Sequence, residues 1–172
     1  MNFPQIPGKS EQPESLPMPN GNETILVVED EDLLRSLSTQ ILISLGYRVI
    51  EAADGRIAYE LVKDYPRRID LILSDVVLPK LKGPEMVSRA RELRNDFKVL
   101  YTSGYTENSF GDIFDASPEE RAAEMLPKPF TPEELASQVR KVLDDPEIDA
   151  EQADCAEPVN PLAAAWDQLR RV

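Results

Sequence analysis

The chain has 172 residues, 41% of them apolar and 30% charged, with a formal net charge of −13. That length allows one domain of common size plus tails, and the acidic balance leaves no basic footprint for nucleic acid or an anionic membrane surface. No histidine occurs, which excludes a Ser-His or Cys-His catalytic pair, a His-ligated metal and phosphohistidine chemistry within the chain.

Five of the fifteen prolines fall within residues 1–20, a stretch with few large apolar residues and neither helical nor strand period. Residues 1–22 are therefore expected to be a disordered Pro-rich tail. The stretch lacks the basic start and the apolar run of ~7–15 residues of a signal peptide. No run approaches the ~20 apolar residues that cross a bilayer, so the chain is expected to be soluble and cytoplasmic. The single cysteine, Cys155, cannot close an internal disulfide, which suits a reducing compartment.

Residues 24–29, TILVVE, are a short β-branched run that fits a strand buried on both faces. Residues 31–45 switch to helical spacing, with Leu34, Leu37, Ile41 and Leu45 on one stripe and Gly46 where a C′ glycine ends a helix. YRVIEA at 47–52 reads as a second strand. Asp54 is placed to cap a helix over 55–65, with Ile57, Leu61 and Val62 or Tyr65 inward. IDLILS at 69–74 forms a third strand ending at Asp75. A loop then leads to a helix near 84–94 with Met86, Val87, Ala90 and Leu93 apolar. FKVLY at 97–101 is a fourth strand ending at Thr102. Residues 105–123 predict one or two short helices, with a start at Ser117. A short strand at 124–127 leads into Lys128-Pro129-Phe130. Thr131, Pro132 and Glu134 compose a capping box that opens the last helix. Residues 144–172 carry eight acids and two bases. They read as an acidic tail in which 160–171 has the spacing of a short amphipathic helix.

Five strands alternating with helices predict an α/β fold, a parallel sheet covered on both faces. Right-handed crossovers place all strand C-termini on one edge, where ligands bind in open α/β sheets. Glu29-Asp30, Asp75, Thr102 and Lys128 all fall at those termini. Taken singly, each has a plainer reading: Glu29-Asp30 or Asp75 as caps, Thr102 as a strand-end hydroxyl, Lys128 as a solvated loop residue. Together they put three carboxylates, a hydroxyl and an ammonium in one cleft. At ~5 Å and an effective dielectric of ~20, each carboxylate pair repels by roughly 3 kcal/mol. Mg²⁺ relieves this with oxygen ligands and a place for a phosphate oxygen. One carboxylate can then attack phosphorus, while Mg²⁺, Lys128 and the Thr102 hydroxyl neutralise the equatorial oxygens.

The segments LVVEDED, LILSDVVLP, VLYTSGYT and LPKPF resemble those of two-component response-regulator receiver domains, particularly the receivers of hybrid histidine kinases. The resemblance covers residues 23–143. It implies a flavodoxin-like sandwich with strand order 2-1-3-4-5. It implies Asp75 as phosphoacceptor and Glu29, Asp30, Asp75 and the Val77 main-chain carbonyl as Mg²⁺ ligands, with Asp30 direct and Glu29 through water. Thr102 becomes the switch hydroxyl and Lys128 the lysine that pairs with the phosphoryl group, before a cis bond to Pro129. The implied donor is a histidine kinase or histidine phosphotransfer protein.

Three features depart from the family. Met125 stands where an aromatic residue is usual, with Tyr105 or Phe130 as substitutes. The stretch from Thr102 to Lys128 is longer than usual. Lys80 and Lys82 add charge near the pocket rim. The expected function is a Mg²⁺-dependent switch, not a turnover enzyme. Its output is expected to be contact with a downstream protein target, through the face around the last strand and helix, without a DNA-binding domain. An aspartyl phosphatase usually needs an acid two residues after the nucleophile, where this chain has Val77. A degenerate receiver used only for binding would not need the full acidic set.

Overall fold

The computed structural model describes residues 19–104 and 124–146. The tails, Cys155, the predicted helices at 105–123 and 160–171, and Tyr105 lie outside them. In chain order the elements are β1 (Thr24–Val28), α1 (Asp32–Ser44), β2 (Arg48–Ala52), α2 (Gly55–Asp64), β3 (Leu71–Asp75), α3 (Gly83–Arg91), β4 (Lys98–Ser103), β5 (Glu124–Pro127) and α4 (Pro132–Asp144). All strand pairs are parallel, in the order β2-β1-β3-β4-β5. The flavodoxin-like order expected from the sequence is the one observed.

The three central strands, β1, β3 and β4, are buried almost throughout because both faces are covered. On one face Ile25, Val27, Leu71, Leu73 and Leu100 pack with Leu42 of α1 and Leu135 and Val139 of α4. On the other, Leu26, Val28, Ile72 and Val99 pack with Ala58 and Val62 of α2 and Met86, Val87 and Ala90 of α3. Successive strand side chains alternate between these two clusters, as the pleat requires.

Local end signals are realised. Gly46 follows the α1 C-cap with φ 95°. Asp54 accepts from the Ile57 N–H at 2.8 Å. Thr131 Oγ1 accepts from the Glu134 N–H at 3.2 Å while the Glu134 carboxylate accepts from the Thr131 N–H at 2.7 Å. Two helical stripes differ from expectation. In α1 Leu37 is 49% exposed, and Ser38 and Thr39 are buried instead beside Leu42. In α2 Ile57 is 43% exposed and Ala58 takes the inward place. Most of each stripe faces inward: Ile41 and Leu45, and Leu61, Val62 and Tyr65, meet the core. Leu93 falls past the end of α3 and is exposed.

Candidate functional site

Sheet register decides which strand ends are level. Val28 of β1 pairs with Ser74 of β3, so Glu29 stands beside Asp75. Asp75 pairs with Thr102 of β4. Ser103 pairs with Pro127 of β5, which brings Lys128 to the same height. The Lys128 N–H donates to the Ser103 carbonyl at 2.8 Å, and its bond to Pro129 is cis.

The side chains of Glu29, Asp30, Asp75 and Lys128 converge. One oxygen from each of Glu29, Asp30 and Asp75 lies within 4.8 Å of the others. Lys128 Nζ donates to Asp75 Oδ2 and to Glu29 Oε2, both at 2.6 Å. Glu29 and Thr102 are buried, Asp75 and Lys128 half-buried, and Asp30 exposed, so the pocket opens on the Asp30 side. Burial pushes the Glu29 carboxyl above its ordinary value; Lys128 offsets part of this, and the Asp75 charge adds to it. Burial alone would lower the Lys128 ammonium, but Asp75 and Glu29 outweigh it and hold the group above the ordinary lysine value. The donor set is oxygen-only, anionic and open to water on one side. That chemistry suits a hard cation such as Mg²⁺.

The capping alternative for the acidic pair is not realised: the N-cap of α1 is Glu31, and no side chain bonds there. Val77 lies two residues past Asp75 and donates its N–H to Asp75 Oδ1 at 2.9 Å. Its loop is clamped at two glycines. A Cβ on Gly83 would come within 2.2 Å of the Asp75 carbonyl oxygen, and one on Gly55 within 2.1 Å of the Leu81 carbonyl oxygen. Only glycine permits such backbone approach. Ser74 Oγ donates to the Asp75 carbonyl at 2.9 Å.

Of the two lysines expected to add charge near the rim, Lys80 is neutralised by an ion pair. The Lys80 ammonium is bound to Asp54 at 2.5 Å, at the start of α2. Lys82 is the exposed N-cap position of α3. Met125 is half-buried against the α2–α3 side of the core, and Phe130 packs against the α1–α4 side. Sequence reasoning missed Arg35, Gly55 and Gly83. The glycines carried a signal as isolated Gly at predicted helix starts; Arg35 carried none.

The receiver domain profile of response regulators matches residues 25–140. The sensor kinase CckA of Brucella abortus (strain 2308) is 37% identical over 125 residues, which is 73% of this chain and 13% of that protein. The response regulator receiver protein CpdR of the same organism is 32% identical over 119 residues, 69% of this chain and 95% of that one. The crystal structure of the receiver domain from the hybrid histidine kinase CckA superposes with a TM-score of 0.58 at 35% identity, over 70% of this chain and 99% of that chain. With the profile spanning two thirds of its length and the carboxyl-edge pocket in place, the chain belongs to the response regulator receiver family of two-component systems.

Proposed function

We propose that this receiver accepts a phosphoryl group on Asp75 from a histidine kinase or histidine phosphotransfer protein, in a Mg²⁺-dependent reaction in the cytoplasm. One observation carries the reading: three carboxylates meet within 4.8 Å, and among the described residues one ammonium, Lys128, pairs with two of them. That set is electrostatically incomplete without a further cation. Glu29, Asp30, Asp75 and the Val77 carbonyl would hold Mg²⁺, which when bound neutralises charge on the transferring group.

An Asp75 carboxylate oxygen attacks phosphorus. A P–O bond forms as the P–N bond of the donor breaks, and that electron pair returns to the donor imidazole. The absence of histidine from this chain requires the donor to be another protein or module. Lys128, already on Asp75 Oδ2, moves with the charge onto a phosphoryl oxygen, and the Thr102 hydroxyl takes another. The Val77 N–H keeps the carboxylate oriented. The product is an acyl phosphate, suited to a transient signal, and the domain is an acceptor rather than a turnover enzyme. Output through contact with a downstream protein, and not nucleic acid, agrees with the net charge of −13.

The test is incubation with acetyl phosphate or beryllofluoride, with and without Mg²⁺, read by intact-protein mass spectrometry and NMR. Wild type is expected to take up one group only with Mg²⁺, and Asp75→Asn none. Equal response from Asp75→Asn would remove Asp75 from the role.

A further inference from the structure

Arg35 lies on α1, one turn into the helix, with its side chain 15% exposed. Its Nη1 donates to the Glu29 carbonyl at 2.8 Å. Its Nη2 bonds Asp32, and its Nε lies 3.6 Å from Glu51 on β2. The guanidinium thus joins the end of β1, the first turn of α1 and the neighbouring strand. The Glu29 N–H is meanwhile fixed to the Ala52 carbonyl at 3.1 Å. Both backbone groups of Glu29 are therefore held, one by β2 and one by Arg35.

This bond matters because the turn has little else. The first turn of α1 has no side-chain cap. The β1–α1 turn just before it carries Glu29 and Asp30, which repel each other and Asp75 across no more than 4.8 Å. Repulsion favours opening the turn, and opening it would move the carboxylates out of reach of a common ion. Arginine has the geometry to resist this, since its planar fork bonds two acceptors in fixed directions while its charge faces Glu51.

We infer that Arg35 is a positioning residue: by holding the Glu29 carbonyl it fixes the acidic pair for metal binding at the Asp75 pocket. The inference rests on the Mg²⁺ reading above. It differs from a charge effect in sign. A cation near the pocket opposes Mg²⁺ by Coulomb's law, so as a mere charge its removal tightens binding. As a positioner its removal loosens binding, by ~10-fold for groups that orient metal ligands.

The experiment titrates MgCl₂ at constant ionic strength into the full ¹⁵N-labelled chain, following backbone amide shifts, for wild type, Arg35→Gln and Arg35→Lys. Melting in EDTA confirms that each variant is folded. Arg35→Gln is expected to bind Mg²⁺ ~10-fold more weakly. Arg35→Lys keeps the charge but not the fork, and is expected to weaken binding too. It also serves if Arg35→Gln does not fold. Tighter or unchanged binding in Arg35→Gln, or wild-type binding in Arg35→Lys, overturns the positioning role. A wild type that shows no Mg²⁺ response overturns the metal reading itself and the positioning role with it.

Discussion

At the amino ends of the strands, charges and backbone groups are matched. Asp70 accepts from the Thr24 N–H at 2.7 Å and faces Arg68 at 3.1 Å. Arg140 bonds Glu23 and Asp144, both at 2.8 Å. Buried Lys98 donates to the Leu143 and Asp145 carbonyls at the end of α4. At the carboxyl ends, Glu29 and Asp75 share Lys128, with Asp30 beside them. The first edge is organised to hold strand and helix ends in place. The second keeps negative charge concentrated, which costs stability and is tolerated where a ligand or reaction supplies the missing positive charge.

If the edges differ in this way, damage to them should be read out differently. The largest effect is expected at Lys128. Lys128→Gln leaves Glu29 and Asp75 as neighbouring unpaired carboxylates, and should lower stability in EDTA by about 3 kcal/mol, the low end for breaking a buried pair because the pocket is open to water. Adding Asp75→Asn to that variant should restore most of the loss. Urea melts of the single and double variants check both, and equal stability for the two would mean that carboxylate repulsion is not the cause.

At the opposite edge, Asp70→Ala removes the acceptor of a backbone N–H in Thr24, a residue only 2% exposed. The expected cost is about 1–3 kcal/mol, with phosphoryl uptake from acetyl phosphate unchanged. Loss of uptake in a folded Asp70→Ala protein would break the division between the edges.

Acid should act on the edges with opposite sign. Burial alone would raise Glu23, but backbone donors and Arg140 outweigh it and hold the group below its ordinary value of 4.5. Its contribution is present above that value and lost as pH falls through the lower, folded one. Glu29 is held above 4.5, so its ionised form costs stability at higher pH, and that cost fades as pH falls toward 4.5. Without Mg²⁺, the advantage of wild type over Glu23→Gln should shrink below about pH 4.5, whereas wild type should gain on Glu29→Gln as pH falls toward it. Denaturation midpoints across the acid range report both slopes. Parallel slopes would contradict the assignment.

The smallest effect is expected at Lys80. It adopts a left-handed φ of 67° while its side chain, 63% exposed, pairs with Asp54. Lys80→Gly removes about 1 kcal/mol of backbone strain and an ion pair of about 1 kcal/mol whose lysine end is exposed, so the melting temperature should hardly move.

Sequence patterning located β1 to β4 because each is a short run rich in aliphatic and β-branched residues, and the last helix because Thr131, Pro132 and Glu134 form a motif within four residues. It found most of the inward faces of α1 and α2, since Ile41, Leu45, Leu61 and Val62 meet the core, but Leu37 and Ile57 are apolar yet exposed, and Ser38 and Thr39 are polar yet buried. The acidic pair, Asp75 and Lys128 were legible because each closes a strand. Arg35 was not, since nothing near it in the chain distinguishes it from any helical arginine.

What the residues alone determined was therefore local: element types, their ends, and which side chains stand at strand termini, all governed by neighbours a few positions away. What the tertiary structure decided was relative height and contact: that Val28 pairs with Ser74 and Ser103 with Pro127, that Lys128 bridges Glu29 and Asp75, and that Lys80 turns to Asp54. Those follow from strand register and from charges seeking partners across 26 to 99 residues of sequence, and no short-range pattern encodes a distance of that kind.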